Sequence, residues 1–99
     1  MTVRLRWTEQ AVEQLGAVVD YVSQTSPVYA DGLVSRVAAH VQALLDFPEV
    51  GRLVPEAGMP NVREVVEWPY RIIYRVRPET IDVIAIVHVR RDMRAMPLG

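Results

Sequence analysis

The chain has 99 residues, 51% of them hydrophobic, with 11 basic against 12 acidic side chains; this suits one globular domain with its own core and excludes a disordered tail or a strongly basic nucleic-acid-coating protein. With no cysteine, disulfides and thiolate metal sites are excluded, which is compatible with the cytoplasm. No apolar run approaches the ~20 residues of a membrane span, and Met1-Thr2-Val3-Arg4 leads into no signal-like segment, so a soluble, cytoplasmic protein is expected.

Charge is unevenly placed. Residues 1–50 carry three arginines against six acids, whereas residues 51–99 carry eight against six. Every basic residue is Arg and none is Lys. Arg is the better planar ligand for carboxylate or phosphate, although a genome-level bias explains the same count.

Thr2 to Trp7 alternates apolar with polar residues and predicts a half-buried strand. Thr8 reads as an N-cap with Glu9 in the first turn. Ala11, Val12, Leu15, Val18, Val19 and Val22 then recur at helical spacing, predicting a helix from about Glu9 to Ser23. Ser26-Pro27 supplies a second cap, followed by the stripe Ala30, Leu33, Val34, Val37, Ala38, Val41, Leu44 and Leu45 of a helix ending near Asp46. So short a link favours an antiparallel helical hairpin. His40 lies beside the stripe and reads as a boundary residue.

Phe47-Pro48-Glu49-Val50-Gly51 ends the helix, and Arg52 to Asn61, with Pro55, Gly58 and Pro60, reads as the longest irregular stretch. Val62–Glu67, Tyr70–Arg77 and Ile81–Val89 read as three strands of an antiparallel meander. The expected fold is α+β, in the order β-α-α-β-β-β, with the hairpin on the one face that is evenly apolar. A single domain spanning residues 1–99 is expected, with 91–99 as a flexible tail.

The stretch Trp68 to Arg77 organises the chain. Tyr70, Ile72, Tyr74 and Val76 point to one side of the predicted central strand; Arg71, Ile73, Arg75 and Arg77 point to the other. If Val76 faces Ile81 across the hairpin at Pro78-Glu79, Arg71 lies opposite Ile86 and His88 is one diagonal step away on the same face. An odd loop would send His88 to the helix side. With the even loop, Arg71, Arg75, His88 and Arg90 would line a solvent-facing surface suited to an anion or phosphodiester. Arg would stabilise developing charge, His would move a proton, and Glu64 or Glu67 would serve as base. In the plainer reading, Glu64, Glu67 and Asp82 pair with these arginines across strands. There is no Gly-rich phosphate loop, nucleophile elbow or metal-spaced cluster, so no cofactor or metal is expected.

Several segments together resemble the RelE/ParE superfamily, the toxins of type II toxin–antitoxin modules. They are Trp7-Thr8-Glu9-Gln10-Ala11, Phe47-Pro48-Glu49-Val50-Gly51-Arg52, Val62-Arg63-Glu64, Pro69-Tyr70-Arg71-Ile72-Ile73-Tyr74-Arg75-Val76, and His88 with Arg91-Asp92. The resemblance implies a growth-inhibiting toxin, neutralised by a cognate antitoxin in a hetero-oligomer. It divides in function: ParE-like members poison DNA gyrase, whereas RelE-like members cleave mRNA on the ribosome. On the nucleolytic side, the resemblance would make Arg71 and either Arg90 or Arg91 functional; an endonuclease would use Arg71, Arg91 and His88, the last in place of the family's late tyrosine, with Arg52 and Arg63 as phosphate contacts. Arg75, Arg90 and Arg94 complete the candidate target-binding set. The nucleolytic pattern is incomplete here, with no lysine and no tyrosine after Arg91. The expectation is therefore a gyrase-directed toxin; the alternatives are the mRNA endoribonuclease and a non-toxic interaction module.

Overall fold

Two capped helices open the fold. Thr8 accepts the Ala11 N–H on its hydroxyl at 3.1 Å and starts α1 (Glu9–Ser23); Ser26 accepts the Tyr29 N–H at 3.1 Å and starts α2 (Pro27–Ala43). Each such cap satisfies a donor that the first helical turn leaves orphaned, contributing ~1 kcal/mol. The expected helix continued to Asp46; instead α2 closes at Ala43, and Leu44, Leu45 and Asp46 follow in tight turns bonded three residues back. The computed structural model describes residues 3–90.

The strands are β1 (Arg4–Trp7), β2 (Arg52–Leu53), β3 (Val62–Glu67), β4 (Tyr70–Val76) and β5 (Thr80–His88). They form one sheet in the order β1-β5-β4-β3-β2, in which β1 runs parallel to β5 and the other pairs are antiparallel. β4 is thus the central strand, as its sequence predicts. The β-α-α-β-β-β order holds, with one addition. The stretch from Arg52 is not wholly irregular: β2 pairs with β3, and a short 3-10 turn, Pro55–Ala57, follows. Gly58, at φ +66°, ends that turn in the left-handed region where a Cβ is disfavoured. The peptide bond between Trp68 and Pro69 is cis.

The hairpin buries its apolar stripe on one face of the sheet. Ala11, Leu33, Val37 and Val41 pack with Tyr70, Ile72, Val83 and Ile86, and Leu15, Val18 and Val22 close the edges. Of the predicted stripes, Val12, Val34 and Ala38 face outward, Val34 being 40% exposed. The α2 stripe turns on Leu33, one residue before Val34.

The opposite face is not a bare charged surface. Val54, Val62, Ile73, Ile84, Ala85 and Val87 form a second apolar cluster, flanked by Ala57 and Met59 from the 54–61 segment. Both faces of the sheet are therefore buried near its centre, which corrects the expectation of a single apolar face. The run Ile81–Val87, buried throughout, fits a strand covered on both sides.

A β-bulge sets the geometry of everything beyond Ile84. Near the turn, Val76 pairs with Ile81, Arg75 with Asp82 and Tyr74 with Val83, the expected register. Then Ile73 pairs with Ala85, so Ile84 is an extra residue in β5. The start of α1 satisfies the disrupted backbone. The Gln10 side chain donates to the Ile84 carbonyl at 2.9 Å, the Thr8 N–H donates to Val83 at 3.0 Å, and Gln14 accepts the Ile86 N–H at 2.9 Å. The Thr8-Glu9-Gln10 segment is thus both a helix cap and a bulge clamp.

Candidate functional site

Arg71 stands on the face away from the helices, opposite Val87. Its Nε donates to Glu64 Oε1 at 2.8 Å, its Nη2 bonds Glu64 and also donates to Glu56 Oε1 at 2.6 Å, and its side chain is only 8% exposed. Burial alone would lower the guanidinium pKa; hydrogen bonds and charge from Glu64 and Glu56 outweigh it and raise it further. Glu56 in turn is held below the usual carboxylate range, chiefly by its bond to Arg71. Arg52 reaches Glu64 at 3.3 Å from the edge strand. Two carboxylates and two guanidinium groups therefore compensate one another.

The bulge sends His88 to the other face. It pairs with Tyr70, not diagonally with Arg71, and meets the Tyr70 ring edge-on at 6.0 Å between centroids. It lines a cleft against α1 with Ala17, Val18, Tyr21 and Ile86. The expectation that Arg71 lies opposite Ile86 and shares a surface with His88 is thus corrected. The hairpin turn has the even length supposed; the extra residue at Ile84 reverses the alternation after it.

The remaining candidates separate in the same way. Arg63 donates to the carbonyls of Gly51 at 2.7 Å and Glu49 at 3.3 Å, so it fastens the loop after α2. Arg75 joins Arg6 and Arg77 around Asp82, which is fully buried. Burial pushes the Asp82 carboxyl up, but bonding to Arg6 and the charges of Arg6 and Arg77 prevail and hold it below its usual value. Arg90 is exposed just past β5, its N–H donating to His88 Nδ1 at 3.2 Å. Arg91 and Arg94 lie outside the described residues. Glu67, the other proposed base, faces α2, where it pairs with Arg36 at 3.0 Å and His40 at 3.2 Å. Sequence reasoning missed Glu56, which sits in a Pro- and Gly-bounded turn with no periodic signal.

Among the described residues no group of three His, Asp or Glu side chains is arranged for a metal, and no helix is long and apolar enough to cross a membrane. One apolar groove runs along the outer side of the hairpin, about 430 Å³, lined by Trp7, Val12, Leu15, Gly16, Val19 and Val34.

A helical hairpin laid over a five-stranded mixed sheet is the architecture of the RelE/ParE class of small toxins. The chain belongs to the family described as the ParE toxin of the type II toxin–antitoxin system parDE, whose model matches residues 5–93. It is 35% identical over 86 residues to Toxin RelE2 of Caulobacter vibrioides, covering 86% of this chain and 93% of that protein. Among solved structures it resembles a chain of the chromosomal ParDE TA system from P. aeruginosa, with a TM-score of 0.71 and 28% identity over 88% of this chain and 96% of the other. The protein is thus a type II toxin by family.

Proposed function

We propose that residues 1–99 act as one growth-inhibiting toxin domain that works by binding, with DNA gyrase as its target and a cognate antitoxin as its neutralising partner. The observation that carries this reading is the separation of Arg71 from His88. A phosphodiesterase needs its charge stabiliser and its proton carrier at one phosphate, within hydrogen-bond reach of the reacting atoms. Here the two side chains stand on opposite faces of β4 and β5. Arg71 is, besides, paired with both Glu64 and Glu56. The ribosome-dependent endoribonuclease reading, with Arg71, His88 and Arg91 on mRNA, is correspondingly weaker.

The antitoxin reading is supported by the outer groove of the hairpin. Val12 is 55% exposed and Val34 40%, and an amphipathic segment with apolar anchors at helical spacing would cover both.

Two assays on the purified toxin test the target. Gyrase supercoiling should stop in its presence, and primer extension on a translated message should reveal no new ends. His88→Ala should keep most of the toxicity, and deletion of residues 94–99 should remove more. Cutting of mRNA on translating ribosomes, abolished by His88→Ala, would overturn the gyrase reading. No growth defect from the wild-type chain would favour a non-toxic interaction module.

A further inference from the structure

The face of the sheet away from the helices carries more cation than its carboxylates need. Arg6, Asp82 and Arg75 stand side by side on β1, β5 and β4, and Arg4 pairs with Thr80 one step along. Arg77 follows β4 and bonds Thr80 Oγ1 through Nε at 3.1 Å. The Cα atoms of these arginines thus form two rows about 7 Å apart along strands spaced about 4.8 Å, and Arg77 reaches from its row to Asp82 in the other. Among the described residues, Asp82 is the carboxylate that pairs with them, and Glu79 stands at the turn beside Arg4 and Arg77. Asp82 is reached by Arg6 at 3.2 Å, Arg77 at 3.0 Å and Arg75 at 3.5 Å. One carboxylate cannot satisfy three guanidinium forks. Arg75 Nε and Asp82 Oδ2, both sealed from solvent, have no hydrogen-bond partner among the described residues, so Arg75 is held to Asp82 by charge alone. Arg6 and Arg77 remain 53% and 46% exposed, and Arg4 and Arg77 border a cleft of about 490 Å³ with Glu79 and Thr80.

We infer that this arginine face binds the phosphate backbone of double-stranded DNA. Planar guanidinium groups in excess of local carboxylate suit phosphate oxygens, which they can hold in bidentate fashion. A peptide partner would want a central apolar or aromatic anchor, and a single strand would want aromatic rings for base stacking. The exposed aromatics Tyr21, Tyr29, Phe47 and Trp68 stand elsewhere, on the helices, the loop after α2 and the β3–β4 hairpin. The choice of DNA over another duplex polyanion rests on the gyrase reading, since that enzyme works on duplex DNA. The inference concerns binding alone and involves no cleavage.

Fluorescence anisotropy of a labelled duplex, with the full chain titrated at several salt concentrations, tests it. If three phosphates are neutralised, affinity should fall about 40-fold between about 50 and 200 mM salt, and only about fourfold in Arg4→Gln/Arg77→Gln, which loses two contacts. Arg6 and Arg75 still compensate Asp82 in that variant. Arg4→Glu, at an exposed edge position, provides a second reading should the double variant fold poorly. Arg36→Gln on α2 should behave as wild type. Equal salt dependence in wild type and the arginine variants would overturn the inference, as would tighter binding of single-stranded RNA or polyglutamate. If gyrase is unaffected while arginine-dependent duplex binding persists, the target reading falls and this one stands. If gyrase is poisoned and duplex binding ignores these arginines, the reverse holds.

Discussion

Glu64 on β3 and Arg71 on β4 form an ion pair with side chains 3% and 8% exposed. Moving both charges out of water is expensive, and their attraction offsets that cost only while both are present. Glu64→Ala should therefore lower stability by ~3 kcal/mol, near the low end for a broken buried pair because Glu56 still meets Arg71. Glu64→Leu combined with Arg71→Met should cost clearly less than the two single losses added together. Urea unfolding of the four proteins in the cycle measures this directly. Strictly additive losses would mean the two charges are not coupled.

Tyr74 explains why a glycine follows Phe47-Pro48-Glu49-Val50. Its buried hydroxyl accepts the Gly51 N–H at 2.9 Å and donates to the Pro48 carbonyl at 2.8 Å. A Cβ on residue 51 would lie 2.5 Å from the Glu64 carbonyl oxygen and 2.6 Å from that hydroxyl. Backbone cannot yield cheaply, so Gly51→Ala should cost ~2–3 kcal/mol and lower Tm by roughly 10 °C or more. Tyr74→Phe removes both bonds without the clash and should cost ~1–3 kcal/mol. Calorimetry on the two variants would show whether the close approach outweighs the hydrogen bonds.

Asp82 gives the fold an acid limit. Its carboxyl is held below its ordinary value despite burial, because Arg6 and Arg77 favour the charged form. A depressed folded pKa contributes stability that is fully present above the unfolded value, ~3.9, and is lost as pH falls through the folded value. Glu56, lowered by Arg71, acts in the same direction. Melting temperature should hold between about pH 6 and 8 and drop steeply below about pH 4. Asp82→Asn should melt lower at neutral pH and show a shallower acid dependence. An acid profile parallel to that of the wild type would remove Asp82 from the account.

Much of this fold is legible in the residues. Thr8 and Ser26-Pro27 mark both helix starts because a hydroxyl at an N-cap has a local function. The arginine alternation of β4 reveals its two sides for a similar reason. The bulge at Ile84 is not legible, because Val83 to Val87 is apolar on both faces and period-two reading finds no parity there. That one residue carries His88 away from Arg71, and with it the predicted shared surface. Val34 and Leu33 likewise cannot be ranked by helical spacing alone. Glu56 and β2 were hidden because a Pro- and Gly-rich stretch shows composition but no period, while their positions depend on Arg71 and β3 across the sheet. The plainer reading of Glu64 and Asp82 as cross-strand partners of arginine describes both correctly; Glu67 pairs with Arg36 and His40 on α2.

Gly16 offers a direct test of the antitoxin groove. It lies on α1 beside Val12 and Val19, and a Cβ built on it meets nothing within 4 Å. Glycine inside a helix costs ~1 kcal/mol relative to a good helix former. Gly16→Leu should therefore raise the stability of the isolated toxin slightly while filling the groove between α1 and Val34. If the antitoxin seats an apolar anchor there, its affinity should fall by roughly 100-fold, the scale of losing one central contact. Gly16→Ala should lie between, within about tenfold of wild type. In cells, Gly16→Leu should remain toxic, since no target contact is assigned to this face, and co-expressed antitoxin should no longer rescue growth. Unchanged affinity by calorimetry, with the variant folded, would mean that the antitoxin docks elsewhere and that the exposed valines of the hairpin have another use.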